Sequence, residues 1–270
     1  MKITVLGTGT SSGVPVPACG CEVCLSKNPK NSRLRCSIYI EIPEVLSEKG
    51  NQSVSILIDT STDLRTQALR YHIKDVDAVL YTHPHADHTN GIDDLRCFNF
   101  IHKKAISVFA TKETAFELTK RFGYAFLGNP EYEGGTPPEL ELQEISAQTP
   151  FSTHGVRITP LSALHGKLPV LGYRIGNFAY LTDCSYISEE TKKLMQGLEV
   201  LILDGLRFRP HKTHFTIEES VAQIHELAPK KAYLTHLSHE VDHEKGNAFI
   251  KTLTEKNIEI AWDGLVIDLP

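Results

Sequence analysis

No run of the 270-residue sequence approaches the roughly 20 apolar residues that a bilayer span requires. Mean hydropathy is also slightly negative, at -0.18, which speaks against a membrane protein. The opening MKITVLGTGTSSG carries one Lys before a strand-like run and lacks the apolar stretch of a secretory signal, so the expectation is a cytoplasmic protein. Blocks of Lys or Arg are missing too: 28 basic residues face 33 acidic ones, a net charge of -5. Extended binding to RNA or DNA is therefore disfavoured, although a local basic pocket is not. Neither a low-complexity linker nor an internal repeat interrupts the chain, and the expectation is one domain over residues 1–270. Cysteine is too sparse for a disulfide framework. Three of the six cluster as Cys19, Cys21 and Cys24, while Cys36, Cys97 and Cys184 read as small buried hydrophobes.

What is present is a succession of short β-branched runs: Ile3–Leu6, Cys36–Ile42, Val54–Ile58, Ala78–Tyr81, Ile106–Phe109, Val156–Leu161, Tyr173–Ile175, Phe178–Leu181, Val200–Leu203, Ala232–Leu234 and Ile258–Ala261. Stretches of helical period alternate with them at Asp63–Tyr71, Lys112–Phe122, Ser188–Met195, Ile217–Leu227 and Lys245–Lys256. Gly176-Asn177 between two apolar runs marks a hairpin. The sheets are then mixed and the fold class is an α/β sandwich. Gly128–Glu139, rich in Gly, Pro and acid, reads as a lid or a solvated loop.

Residues 81–91 read YTHPHADHTNG and place His83, His85, Asp87 and His88 within one short stretch after a strand. Alternate residues of extended chain point the same way, so His83 and His85 can grip one metal ion and leave Asp87 and His88 for a second. Two ions about 3.5 to 4 Å apart would share a bridging water and clamp both oxygens of an in-line displacement at phosphorus, which makes a hydrolase the leading reading. Each ion needs three or four protein ligands. His165 is assigned to the first ion, His236 to the second, and Asp183 to a bridging position, because its two oxygens can balance two cations. Asp59, at another strand end, would hold a ligating imidazole by its second nitrogen or serve as a helix cap.

Cys19, Cys21 and Cys24 with His239 make a Cys3His set that suits a closed, structural zinc site; without metal the same residues form a reduced cysteine-rich loop, and His239 becomes a free acid or base. His211 and His214 precede a helix with Thr216 as N-cap and Glu219 as its capping-box partner. His214, nearer the anchored helix, is the general-acid candidate, and Asp87 is a second catalytic candidate as orienter of the nucleophile. Arg33, Arg35, Arg207 and Arg209 are either phosphate ligands or solvated surface.

With these residues in view, the sequence resembles the metallo-β-lactamase superfamily, whose HxHxDH signature matches His83, His85, Asp87 and His88. The stretch GTGTSSGVPVPACGCEVC and the THLSH segment narrow the resemblance to the PhnP-type phosphodiesterases, which open cyclic phosphates of phosphorylated ribose. That resemblance implies an αββα sandwich of two mixed sheets flanked by helices, a catalytic pair of manganese or zinc ions at one sheet edge and one structural zinc, and it favours His214 as the acid. The implied activity is hydrolysis of a small, cyclic or nucleotide-like phosphodiester through attack by a metal-bridged hydroxide. Alternatives are a tRNase Z-like endoribonuclease, against which the short acidic 128–139 stretch counts, a thioester or lactone hydrolase, and a noncatalytic accessory protein of PqqB type. A homodimer is compatible with every one of these.

Overall fold

Residues 1–47, 50–126 and 135–270 are described by the computed structural model. Most of the stretch read as a lid or solvated loop, residues 128–134, lies outside them.

The β-branched runs form strands, and the face on which each residue falls follows from the period of two. In β1 (Lys2–Gly7), β2 (Ser37–Ser47) and β3 (Gly50–Ile58), residues such as Ile38, Ile40, Ile56 and Ile58 turn inward between the sheets, whereas Tyr39 and Leu57 turn outward. The chain continues through β4 (Ala78–Leu80), β5 (Ile106–Ala110) and β6 (Leu140–Glu144), completing among the described residues a sheet of order β6-β5-β4-β3-β2-β1. The second sheet takes β7 (Phe151–Thr153), β8 (Val156–His165), β9 (Leu168–Ile175), β10 (Phe178–Leu181), β11 (Tyr186–Ile187), β12 (Val200–Asp204), β13 (Lys231–Thr235) and β14 (Ile258–Ile260), and the last strand, β15 (Val266–Asp268), returns to pair with β1.

Three apolar layers make this a sandwich. Phe178, Tyr180, Val200 and Ile202 meet the inward residues of the first sheet, while their neighbours Ala179, Leu181, Leu201 and Leu203 face the helices on the other side. Strands buried on both faces must be apolar throughout, which is why these runs do not alternate with polar residues. Each fully buried Val, Leu, Ile or Phe contributes about 1.5–3 kcal/mol.

The helices cover the outer faces. α1 (Leu64–Arg70), α2 (Ala86–Thr89), α3 (Arg96–His102) and α4 (Lys112–Phe126) lie on the side of the first sheet, where Leu64, Phe98 and Leu118 join the core layer. α5 (Glu189–Leu194), α6 (Ile217–Leu227) and α7 (His243–Leu253) follow on the side of the second. α6 buries Ile217, Val221, Ile224 and Leu227 along one stripe and starts at the anticipated capping box between Thr216 and Glu219. The last helix begins two residues earlier than its apolar spacing indicates, because Asp242 caps it by accepting from the Glu244 and Lys245 amides.

The expected Gly176-Asn177 hairpin joins β9 to β10, with Gly176 at φ 56°. Strands β3 to β6 run parallel, as do β10, β12, β13 and β14, so both sheets present several carboxyl ends. In α/β sheets that edge is where ligands collect. No described helix is long and apolar enough to cross a membrane.

Candidate functional site

The residues singled out in the HxHxDH segment come together at those carboxyl ends, on less extended chain than their spacing implies. His83 follows β4 in a loop, His85 is the extended N-cap of α2, and Asp87 and His88 lie inside that one-turn helix. Gly91 permits this helix to press against the end of β3: its amide donates to the Thr60 carbonyl, and a Cβ there would stand 2.1 Å from the Ser61 carbonyl oxygen.

Asp59, Asp183 and His236 are strand-end residues in the left-handed region, at φ 62°, 54° and 60°. For residues with a Cβ such a conformation costs about 1–3 kcal/mol and concentrates at functional sites. In each the turn aims a polar side chain back over the sheet edge. Asp59 is held there by the Thr82 amide and hydroxyl at 2.8 and 2.7 Å, and its Oδ2 lies 2.7 Å from His88 Nδ1. Between holding an imidazole and capping a helix, geometry selects the former; the N-cap of α1 is Asp63.

Asp183 sits in the middle. Its Oδ1 lies 3.2 Å from His236 Nε2 and 3.9 Å from His83 Nε2, and its Oδ2 lies 3.3 Å from His88 Nε2. Asp87 Oδ2 approaches the same His88 nitrogen at 3.4 Å. His85 Nδ1 is 3.0 Å from His83 Nε2, and the His165 ring centroid stands 5.3 Å from that of His85 and 5.8 Å from that of His83. His165 is oriented by its Nδ1–H, which donates to the Thr213 carbonyl at 2.8 Å. The other six residues thus gather on one side of the molecule about Asp183, His85 through its contact with His83.

Protonation favours cation binding at His83, His165 and His236, whereas His88 would give up a proton to a cation. Burial lowers His83 and His165 and takes His236 down to about 3, so these imidazoles are neutral. Burial works against charge on Asp183 and Asp87 as well, yet His236 and His88 hold Asp183 low, and His88 holds Asp87 low. Burial likewise opposes charge on His88, which Asp183 and Asp59 nevertheless raise.

Among the described residues, the buried atoms His88 Nε2, His236 Nδ1 and His236 Nε2 make no well-formed hydrogen bond, although carboxylate oxygens stand 3.2 to 3.6 Å away. An unsatisfied buried polar atom costs about 1–3 kcal/mol, and here such nitrogens converge on carboxylate oxygens. A cation among them satisfies both, so the donor set fits metal. Donor atoms of His83, His88 and Asp183, and of Asp87, His88 and His236, lie within 4.8 Å of one another.

Asp204 was not identified among the site residues from sequence. Fully buried at the end of β12, it lies 3.2 Å from His214 Nδ1, accepts from the Phe215 amide at 3.2 Å and from the Asp183 amide at 3.3 Å, and stands 3.6 Å from His236 Nδ1. The signal was available in LILDG, a strand ending in a carboxylate as SILIDT and AYLTD do. Burial disfavours a charged His214, but Asp204 raises its pKa. The His214 ring stacks on His236 at 4.6 Å, whereas His211 is exposed at 5.2 Å from His214.

The cysteine loop meets His239 as its spacing implies. His239 Nδ1 lies 3.3, 3.4 and 3.6 Å from the sulfurs of Cys19, Cys21 and Cys24. The Cys24 amide, together with His239, lowers the Cys21 thiol to about 6, whereas burial raises Cys24 to about 11. One low thiol beside a ring nitrogen is suited to ligation.

Of the four arginines, Arg209 is exposed, as one of the two readings had it, and Arg33 is corrected. Arg33 is neither solvated nor open to phosphate: it is 1% exposed, and its Nη1 donates to the Ser238 carbonyl at 3.1 Å, bracing the loop between His236 and His239. Arg35 pairs with Asp63, and Arg207 and Arg209 share Glu240. Cys36 and Cys184 are buried as anticipated, but Cys97 is exposed on α3.

Comparison with known proteins agrees with this fold. The β-lactamase superfamily domain profile matches residues 55–237. A solved structure described as a new diphosphatase from the PhnP family is 37% identical, superposes with a TM-score of 0.85, and is covered over 96% of its length by 98% of this chain. Zinc-bound PqqB from Methylobacterium extorquens superposes with a TM-score of 0.80 over the full length of both chains; at 18% identity it shows the fold alone. A curated octanoyltransferase of Porphyromonas gingivalis (strain ATCC BAA-308 / W83) is 39% identical over 88% of this chain, which spans only 46% of that relative. The αββα architecture and the profile match together show that the chain belongs to the metallo-β-lactamase superfamily, and within it to the PhnP family.

Proposed function

We propose that this protein is a dinuclear metal-dependent phosphohydrolase acting on a small phosphodiester. The observation that carries the reading is Asp183, one buried carboxylate approached by His83, His88 and His236, with nitrogens of His88 and His236 that make no well-formed hydrogen bond among the described residues. His83, His85, His165 and Asp183 would hold one ion, and Asp87, His88, His236 and Asp183 the other. When bound, such a pair supplies a nucleophile at neutral pH and neutralises charge on phosphoryl oxygens. Manganese or zinc suits this mixture of imidazole and carboxylate. Zinc suits the Cys3His set as a structural ion.

The remaining chemistry belongs to the chain. Asp204 engages His214 Nδ1 and leaves Nε2 to deliver a proton to the departing oxygen. Asp87, beside the nucleophile's position, orients it. Arg207 and Arg209 share the single carboxylate of Glu240 and keep one net positive charge, which suits a small anionic substrate better than an extended nucleic acid. The diphosphatase description of the PhnP-family relative supports attack at phosphorus.

The test is a panel run on metal-analysed protein: a cyclic phosphodiester, a diphosphate diester, a phosphomonoester, a lactone and an acyl thioester. The thioester is included because the P. gingivalis relative carries an acyl-transfer name. Preferred hydrolysis of a phosphodiester supports the reading; preference for lactone or thioester overturns it. Asp183→Ala should empty the paired sites and abolish turnover, as checked by metal analysis beside the assay.

A further inference from the structure

His211 stands one ring beyond the general acid. Its centroid lies 5.2 Å from that of His214, and it is exposed where His214 is buried. What fixes it is Thr213. The Thr213 amide donates to His211 Nδ1 at 3.4 Å, with the Thr213 hydroxyl 3.2 Å from the same nitrogen. A backbone amide can only donate, so Nδ1 is the accepting nitrogen and the hydrogen of the neutral ring sits on Nε2. The carbonyl of the same residue accepts from His165 Nδ1 at 2.8 Å and imposes the opposite tautomer there. Thr213 thus leaves His165 with a lone pair for a cation and His211 with an N–H, on an exposed ring, to offer a substrate. The loop is braced at both ends: Arg207 donates to the Arg209 and Pro210 carbonyls at 3.2 and 3.1 Å, and a Cβ on Gly166 would stand 2.7 Å from Thr213 Cγ2, so the tip of the β8–β9 hairpin packs on Thr213. A donor held in this way loses little freedom on binding.

We propose that His211 is a specificity-determining residue: its Nε2–H binds an oxygen of a phosphoryl group on the departing side of the scissile bond, so the favoured substrate is a diphosphate diester, whose leaving group is itself a phosphate. This role presupposes phosphoryl transfer at the paired-metal site. Neighbouring charge fits it. Burial, His214 and Arg207 lower the His211 pKa and keep the ring neutral, while Arg207, Arg209 and Glu240 together carry one net positive charge. A neutral donor backed by positive charge suits an anionic oxygen. Two imidazoles 5.2 Å apart can also share one phosphate, His214 on the bridging oxygen and His211 on a terminal one. An alcohol or thiol leaving group would offer His211 no anionic acceptor.

Two diesters that share the attacked phosphoryl group isolate this role: diadenosine diphosphate, which releases AMP, and the p-nitrophenyl ester of AMP, which releases nitrophenolate. In metal-loaded His211→Ala the ratio of kcat/KM for the first over the second should fall by about tenfold to a hundredfold, the loss residing in KM, since a hydrogen bond to a charged group is removed. His211→Gln, which can place an N–H where Nε2 stood, should recover most of that ratio. Metal content of His211→Ala should match wild type, because the Thr213 carbonyl holds His165 without His211. An unchanged ratio in His211→Ala overturns the proposal, as does a fall confined to kcat or a Gln variant no better than Ala. Wild-type protein that cleaves neither diester overturns the phosphohydrolase reading along with it, so the wild-type rates tell the two failures apart.

Discussion

Residue by residue, the division of labour at the site follows from what each side chain is anchored to. Asp183 has imidazoles on several sides, while His214 has a carboxylate behind it and a neighbouring ring against its face. Removing His214 therefore should leave the metal complement intact and cost rate. His214→Ala is expected to retain the wild-type metal content while turnover falls by about 10² to 10⁴. The loss should shrink sharply for a phosphodiester with a nitrophenolate leaving group, which departs without a proton. Asp204→Asn should reproduce the same leaving-group dependence more mildly, since it disturbs His214 through Nδ1. If both residues serve one proton transfer, the double variant will be little worse than His214→Ala alone, as residues acting as a unit are not additive. Losses that multiply, or that are equal for good and poor leaving groups, would refute the acid assignment.

Among the elements, the long apolar ones were legible and the short or polar ones were not. β10, β12 and β13 announce themselves because strands buried on both faces need unbroken runs such as FAYL, VLILD and KAYLT. β6, β7, β11 and β15 carry charged or hydroxyl residues on short segments, as in LELQE and FST, and only their sheet neighbours make them strands. α2 is one turn long and holds only Asp87 and His88 of the HxHxDH motif, too short to show a helical period. The same contrast explains the site. His165, Asp183 and His236 stood out by residue type near strand ends and His83, His85, Asp87 and His88 by their spacing, whereas Asp204 directly follows Val200–Leu203, a run that read only as core. Arg33 was misjudged because burial of a guanidinium between two loops leaves no local trace. His239, in the segment that follows His236, meets the cysteine loop, so that loop has a measurable structural role. Cys21→Ser should lose one zinc equivalent and lower the melting temperature, while the folded variant keeps the other two ions; unchanged zinc stoichiometry would remove the Cys3His assignment.

Over the whole molecule, the ends of the chain are tied together at a single carboxylate, and this makes stability sensitive to pH. Asp263, ahead of β15, accepts from the Thr8 amide and hydroxyl at 2.9 and 2.8 Å and from the Leu34 amide at 2.7 Å. The loops it gathers are the one leading toward Cys19 and the one carrying Arg33. Burial pushes its pKa up to about 7, against the pull of those three donors. An unfolded Asp titrates near 3.9, so between roughly pH 4 and pH 7 the folded state binds the extra proton. Its contribution to stability is fully present below about pH 4 and is lost as pH rises toward 7, at up to about 1.4 kcal/mol per pH unit. Asp263→Asn removes that titration while keeping the shape of the side chain, although its amide group would face the Leu34 N–H. The variant should therefore melt lower overall. The gap between wild type and variant should narrow as pH is raised from 4 to 7, measured by thermal unfolding of the metal-loaded proteins at matched ionic strength. Curves that stay parallel across that window would show that Asp263 does not carry the proton.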